Sequence, residues 1–304
     1  MNKNVDFSQL SVSDFIKPLL IHKYKIILST LIFSLAGVLY SLSLPNIYKS
    51  EGVYIPNLDE GAGGISGLAS KFGGLASLAG ISVNSSGGNE SLIAIETLKA
   101  RVFILKFIKH QKIEVELFAA QGWNKDTNEL LIDEDIYDVL ENKWVREVDE
   151  GETPHPTDLE LYEAFLEVLE VNVDDETGLI RLAMKHYSPE LAKKWLEVYV
   201  REANSWMQNQ KDSLVTKNIE NLNHIVNEIK LMNTKSVIYE LMEEQIQAKM
   251  LTMTREEYAF KTIDPPFYPE LKSEPKRALI CFIFAFLGAL LSSIFVLAKH
   301  DLKS

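Results

Sequence analysis

Two stretches without a single charged residue bracket this chain. Residues 26–44 (IILSTLIFSLAGVLYSLSL) form the first and residues 278–298 (ALICFIFAFLGALLSSIFVLA) the second, 19 and 21 residues long. At about 1.5 Å of rise per residue, each predicts a helix long enough to cross a hydrocarbon core of roughly 30 Å. A buried core helix rarely stays uncharged on every face for that length. The apolar region of a signal peptide is usually about 7–15 residues and sits nearer the start, although Ser41-Leu42-Ser43 offers a weak cleavage site. Two uncleaved spans are the expectation.

Between the spans the periodicity changes several times. Residues 47–55 (IYKSEGVYI) are rich in β-branched and aromatic side chains and read as a strand. Residues 61–88 hold nine of the fifteen glycines, the composition of a flexible linker. Within them Leu68, Phe72, Leu75, Leu78 and Ile81 recur at three and four, which predicts partial order. Residues 89–110 place Leu92, Ile95, Leu98, Val102, Leu105 and Ile108 on one helical stripe. Residues 121–158, polar and acidic around Trp123 and Trp144, read as loops with short helices. Leu169, Val171 and Val173 then alternate, residues 175–178 (DETG) turn the chain, and Ile180, Leu182 and Met184 alternate back. That is a β-hairpin. Ser188-Pro189 follows as a helix N-cap with proline in the first helical position.

The next 75 residues, 190–264, contain neither glycine nor proline. Val215, Ile219, Leu222, Val226 and Ile229 repeat at 4-3-4-3, a coiled-coil seam. A helix from Pro189 to about Asn233 would be about 68 Å long. Asn233-Thr234-Lys235-Ser236 offers a turn, and Ile238, Met242, Ile246 and Met250 mark an antiparallel return helix, followed by a short strand over 258–263. The expected fold class is an α+β membrane protein. Two transmembrane helices flank an external domain, residues 45–277, with a small α/β base and a long antiparallel helical hairpin over about 189–257.

Charge orients this arrangement. Lys17, Lys23 and Lys25 precede the first span and only Lys49 follows closely, which puts the N-terminus in the cytoplasm. Lys272, Lys276 and Arg277 before the second span, against Lys299 and Lys303 after it, run the other way. The first span usually dominates, so both tails, 1–25 and 299–304, are expected inside. The chain carries −12 overall; with +2 on 1–25 and +1 on 299–304, residues 45–277 carry −15. Such an acidic domain disfavours a nucleic-acid partner.

Candidate chemistry is sparse. The one cysteine, Cys281, rules out a disulfide framework, and the six histidines form no HxxxH or HExxH pair. The acidic run Asp133-Glu134-Asp135 with Asp138 lacks the glycine and terminal glutamate of a calcium loop. No phosphate loop, nucleophile elbow or dinucleotide fingerprint occurs, so no catalytic residue, metal or cofactor is expected. What the sequence offers instead are packing surfaces. Ala285, Gly288, Ala289, Ser292 and Ser293 share one small face of the second span, and Gly37 and Ser41 form a thinner one on the first. Small faces let helices approach closely in lipid. Phe282, Phe286 and Leu290 point elsewhere. Pro265, Pro266, Pro269 and Pro275 predict a stiff extended strap before the second span.

The order of these features resembles the Wzz-type polysaccharide co-polymerases, the family of O-antigen chain-length determinants, over nearly the whole chain. The resemblance is carried by the paired terminal spans, GGLASLAG at 73–80, and Thr177-Gly178-Leu179-Ile180 in the hairpin. It continues with His186-Tyr187-Ser188-Pro189 before Ala192 and Trp195, and IDPPFYPELKSEPKR at 263–277. The family often repeats proline every three residues in that last segment; here Pro269 and Pro275 fit and Lys272 takes the middle place. The resemblance implies a non-catalytic protein of the bacterial inner membrane, anchored in membrane lipid. It also implies a homo-oligomeric ring or bell in the periplasm. The implied partner is a Wzy-type polymerase, whose lipid-linked polysaccharide product the ring holds to a set length. The polymer would be O-antigen, with enterobacterial common antigen or capsule as alternatives. Tyrosine-kinase members of the wider family carry a cytoplasmic phosphate-binding domain, for which the six residues after the second span leave no room. A sensor ectodomain would need a signalling module there. A periplasmic exporter adaptor would share the helical hairpin but usually has one anchor.

Overall fold

The computed structural model describes residues 20–57, 86–229 and 232–301. Leu68, Phe72, Leu75, Leu78, Ile81 and the GGLASLAG segment lie outside the described residues, as do Lys17 and Lys303. The chain divides into two compact units, one drawn from its two ends and one spanning Tyr48–Leu271.

The terminal unit is a helix pair, α1 (Lys23–Ser43) and α8 (Arg277–Asp301). Both are long and apolar enough to cross a membrane. Just inside them Ile47 pairs with the strap: its amide donates to the Glu274 carbonyl at 3.0 Å, and the Ser273 amide donates to the Ile47 carbonyl at 2.9 Å.

The second unit is built on a four-stranded antiparallel sheet of order β6-β7-β1-β8, from β1 (Tyr48–Pro56), β6 (Leu169–Val173), β7 (Ile180–His186) and β8 (Phe260–Asp264). The β6–β7 hairpin turns as its alternation requires. Asp174 organises the turn, its carboxylate accepting the amides of Glu176 and Thr177 at 3.0 and 3.1 Å. Those amides hold the carboxyl below its usual range, and Gly178 supplies the left-handed residue at φ 69°. Although β1 comes first in the chain it is central, pairing Tyr54 with Ile180 on one side and with Thr262 on the other. Gly52 is required beside it, since a Cβ there would lie 2.6 Å from the Tyr54 hydroxyl.

Helices α2 (Ser86–Thr97), α3 (Arg101–Gln111) and α5 (Asp158–Val168) and the first half of α6 (Pro189–Glu228) supply the rest of the core. The single helix expected over 89–110 is broken at residues 98–100. Two tyrosine hydroxyls take carbonyls at the break: Tyr199 donates to Leu98, and Tyr162 to Lys99 at 3.1 Å. The break resets the helical phase. Ala94 and Leu98 are buried on one side of it and Phe103, Ile104, Phe107 and Ile108 on the other, while Leu92 and Val102 from the expected stripe face out. Tyr199 is ringed by Phe103, Phe107 and Phe165, with centroids 4.9–5.2 Å away. Such aromatic contacts add to the stabilisation from buried area.

Residues 121–158 also depart from expectation. After the short α4 (Glu114–Phe118) they form two β-ribbons, β2 (Ala120–Asn124) with β3 (Glu129–Ile132) and β4 (Tyr137–Asp138) with β5 (Lys143–Trp144), rather than loops with short helices. Asx turns drive this. The Asn124 side chain accepts the Asp126 amide, and Asp138 accepts those of Leu140 and Glu141. Aromatic pairing of Tyr137 with Trp144 across the second ribbon, 5.0 Å apart, closes it.

Between β7 and β8 the chain runs out along α6, 40 residues, and back along α7 (Met232–Thr254). Ser188 caps α6 by accepting the Leu191 amide, with Pro189 in the first turn. The outward helix ends at Glu228, earlier than Asn233, and Asn233–Ser236 lie in the first turn of α7. Short polar residues favour a helix start as readily as a turn.

Candidate functional site

The candidate sites of the described residues are packing surfaces. In the terminal unit the small residues bring α1 and α8 into contact. Gly37, Ser41 and Gly288 are buried, and Ala285, Ala289, Ser292 and Ser293 are half-buried. Each glycine faces a phenylalanine of the other helix. A Cβ on Gly37 would lie 2.7 Å from the Phe284 Cβ, and one on Gly288 would lie 2.6 Å from the Phe33 Cβ. Most hydroxyls here bond within their own helix: Thr30 to the Ile26 carbonyl at 2.9 Å, Ser34 to Thr30 at 2.8 Å and Ser293 to Ala289 at 2.7 Å. That pattern suits hydrocarbon, where no water can satisfy them. Phe282, Phe286 and Leu290 point away and are exposed, along with Leu31, Ile32 and Leu35.

In the second unit the seam residues of α6 turn inward along the hairpin. Val215 and Val226 are buried, and Ile219, Leu222 and Ile229 are half-buried, with Ile229 just past the helix end. The partner stripe on α7 is not the expected one. Ile238 is buried and Met242 half-buried, but Ile246 and Met250 face out. A spacing of four residues advances about 40° too far per turn at about 100° per residue. Three such steps carry the stripe a third of the way round the helix. Near the sheet the inward positions are polar. Lys249 donates to Thr216 at 2.7 Å and pairs with Asp212 at 3.5 Å, and Gln208 donates to the Thr252 carbonyl at 2.6 Å.

Pro265, Pro266 and Pro269 lie in a segment, 265–273, with neither helix nor strand. Pro266 and Pro269 are buried, Pro275 half-buried and Pro265 exposed. The Phe267 carbonyl accepts the Ser50 hydroxyl at 2.7 Å, which ties this segment to β1.

Several residues organise these surfaces through partners that no sequence pattern points to. Asn204 continues the buried stripe of Trp195, Leu196, Tyr199, Val200 and Ala203, and a polar side chain at such a position was the available signal. His186 is buried where β7 meets α6; its Nδ1 accepts the Ser188 amide at 3.0 Å, leaving Nε2 to donate to the Glu116 carbonyl at 3.2 Å. Burial pushes its pKa down to about 4. Glu160 closes a capping box at the start of α5 and takes both terminal nitrogens of Arg146, which hold its carboxyl down at about 2. On the outer sheet face Glu170 accepts Lys185 at 2.8 Å and Lys49 at 2.6 Å. Those two cations, Lys185 first, hold its carboxyl below the usual range. Among the described residues no three His, Cys, Asp or Glu side chains converge to hold a metal.

No protein-family model matches this chain, and no curated protein does. Among solved structures it is similar to a full-length bacterial polysaccharide co-polymerase, at 12% identity and a TM-score of 0.39, over 96% of this chain and 98% of that one. It is also similar to a fragment of WzzB, a polysaccharide co-polymerase from Salmonella Typhimurium, at 13% identity and a TM-score of 0.32, over 75% of this chain and 100% of the fragment.

Proposed function

We propose that this chain sets the length of a bacterial surface polysaccharide without catalysing its synthesis, as an oligomeric two-pass co-polymerase of the inner membrane. One observation carries this. The two apolar helices, from opposite ends of the chain, pack on each other through Gly37 and Gly288 while their remaining faces stay apolar and exposed. Such faces need lipid, so both ends of the sheet-and-hairpin unit are anchored. The lysines before the first span support cytoplasmic termini and a periplasmic 45–277. The order of the motifs at 177–180, 186–189 and 263–277 supports the co-polymerase family.

The outer face of α7 supports self-association. Tyr239, Ile246, Met250 and Met253 are exposed and recur at 7-4-3, a second heptad seam suited to another copy of this chain. In this reading a Wzy-type polymerase extends the lipid-linked polymer and the oligomer limits that extension. O-antigen is the polymer favoured, ahead of enterobacterial common antigen and capsule.

Deleting the chain and resolving surface polysaccharide on a gel tests the proposal. Synthesis should continue while its length distribution scatters. Complete loss of polymer would make the chain a synthase or exporter component instead.

A further inference from the structure

Near the chain termini, α1 and α8 line a cavity of about 340 Å³, bounded by Lys25 and Ser29 on one helix and Ser292, Phe295, Val296 and Lys299 on the other. We propose that it binds an anionic phospholipid, with the headgroup phosphate between Lys25 and Lys299 and an acyl chain along Phe295 and Val296. The proposal rests on both helices crossing the membrane, and is independent of the chain-length role.

The residues are arranged for that chemistry. Lys25 and Ser29 lie one turn apart, and Ser292, Phe295, Val296 and Lys299 share one face of α8. Each stripe therefore carries a lysine at the end of the span and a hydroxyl toward its middle. The Lys299 ammonium has only the face of Phe295 beneath it among the contacts of the described residues, 6.0 Å from the ring centre, and the Ser292 hydroxyl is buried without a hydrogen-bond partner. Lys25 lies in the first turn of α1 with its amide donated to the His22 carbonyl at 2.9 Å, so its ammonium is what it offers an anion. His22, at the N-cap, lines the same cavity and adds a third donor. The volume falls within the range of small-molecule sites, roughly 300–1,000 Å³. A free phosphate would satisfy the lysines and leave the exposed Leu291 and Phe295 of the lining bare. A zwitterionic lipid would cover that lining but bring its own cation to the lysines. An anionic lipid matches both.

Native mass spectrometry of the detergent-solubilised full-length protein, titrated with phosphatidylglycerol or phosphatidylcholine, tests this. Phosphatidylglycerol should be retained and phosphatidylcholine lost. Lys25→Gln and Lys299→Gln should each weaken phosphatidylglycerol binding roughly fivefold. Lys23→Gln removes the same charge from the same helix end but not from the cavity, and should change binding less than twofold. Ser292→Leu fills the cavity and should abolish retention. Equal retention of both lipids, an equal effect of Lys23→Gln, or displacement by millimolar inorganic phosphate would each overturn the proposal. Extraction of the protein from membranes by alkaline carbonate would instead reject the two-span reading on which it rests.

Discussion

The side chain of Asn204, in the first half of α6, holds the backbone of Phe260 at both its polar groups. Its Oδ1 accepts the Phe260 amide at 2.8 Å, its Nδ2 donates to the Phe260 carbonyl at 3.0 Å, and Oδ1 also accepts the Ala259 amide at 2.7 Å. Asn204 and Phe260 are both buried, so none of these groups has water as an alternative. One side chain thus fixes where the returning chain of the hairpin joins the sheet edge. Asn204→Ala leaves three buried backbone groups unpaired, and should cost about 3 kcal/mol. Urea unfolding of the full-length protein in detergent checks this. A loss below about 0.5 kcal/mol, less than one hydrogen bond contributes, would show that the edge strand is held by its ladder alone.

His186 makes stability depend on pH. Its pKa is near 4 in the folded chain against 6.5 when exposed. The unfolded state therefore binds the proton first as pH falls. The stabilisation is complete above pH 6.5, declines toward pH 4 and is gone below that. The loss should reach about 3 kcal/mol across the window. Unfolding free energies measured from pH 7 to pH 4, with and without His186→Gln, isolate this contribution. An unchanged pH slope in the variant would assign the effect to other groups.

The inward seam gives a third expectation. Replacing Leu222 and Val226 with Asp places charge on the inner face of the hairpin, and each should cost several kcal/mol. Helical signal should fall, and under the proposed function crosslinked oligomers and polymer-length control should be lost with it. Wild-type crosslinking together with a wild-type polysaccharide ladder would show the seam to be dispensable.

Gly288→Leu with Ala289→Leu tests the helix pair. A side chain at 288 must displace Phe33, whose Cβ lies 2.6 Å from the position a Gly288 Cβ would take. The span stays apolar enough to insert, so membrane levels should hold while the helices separate. Disulfide formation between Tyr40→Cys and Phe284→Cys, whose rings are 5.9 Å apart in the wild type, reads the separation directly. Undiminished crosslinking would mean that the contact does not depend on the glycine.

Local chemistry was enough to recognise the spans, the β6–β7 hairpin, the Ser188–Pro189 helix start and the small faces around Gly37 and Gly288. Each depends on residues close in sequence: an uncharged run, an alternation, a cap, a spacing of three or four. The central place of β1 was not legible, because its partners β7 and β8 lie more than a hundred residues away. The break between α2 and α3 was hidden as well. An unbroken stripe reads as one helix until the hydroxyls of Tyr199 and Tyr162 arrive from distant helices to take the freed carbonyls. The inward face of α7 was settled by packing against α6, which selects Thr252 and Lys249 over Ile246 and Met250. A periodic pattern states that a helix has an apolar side; only the neighbour it meets decides which side is covered.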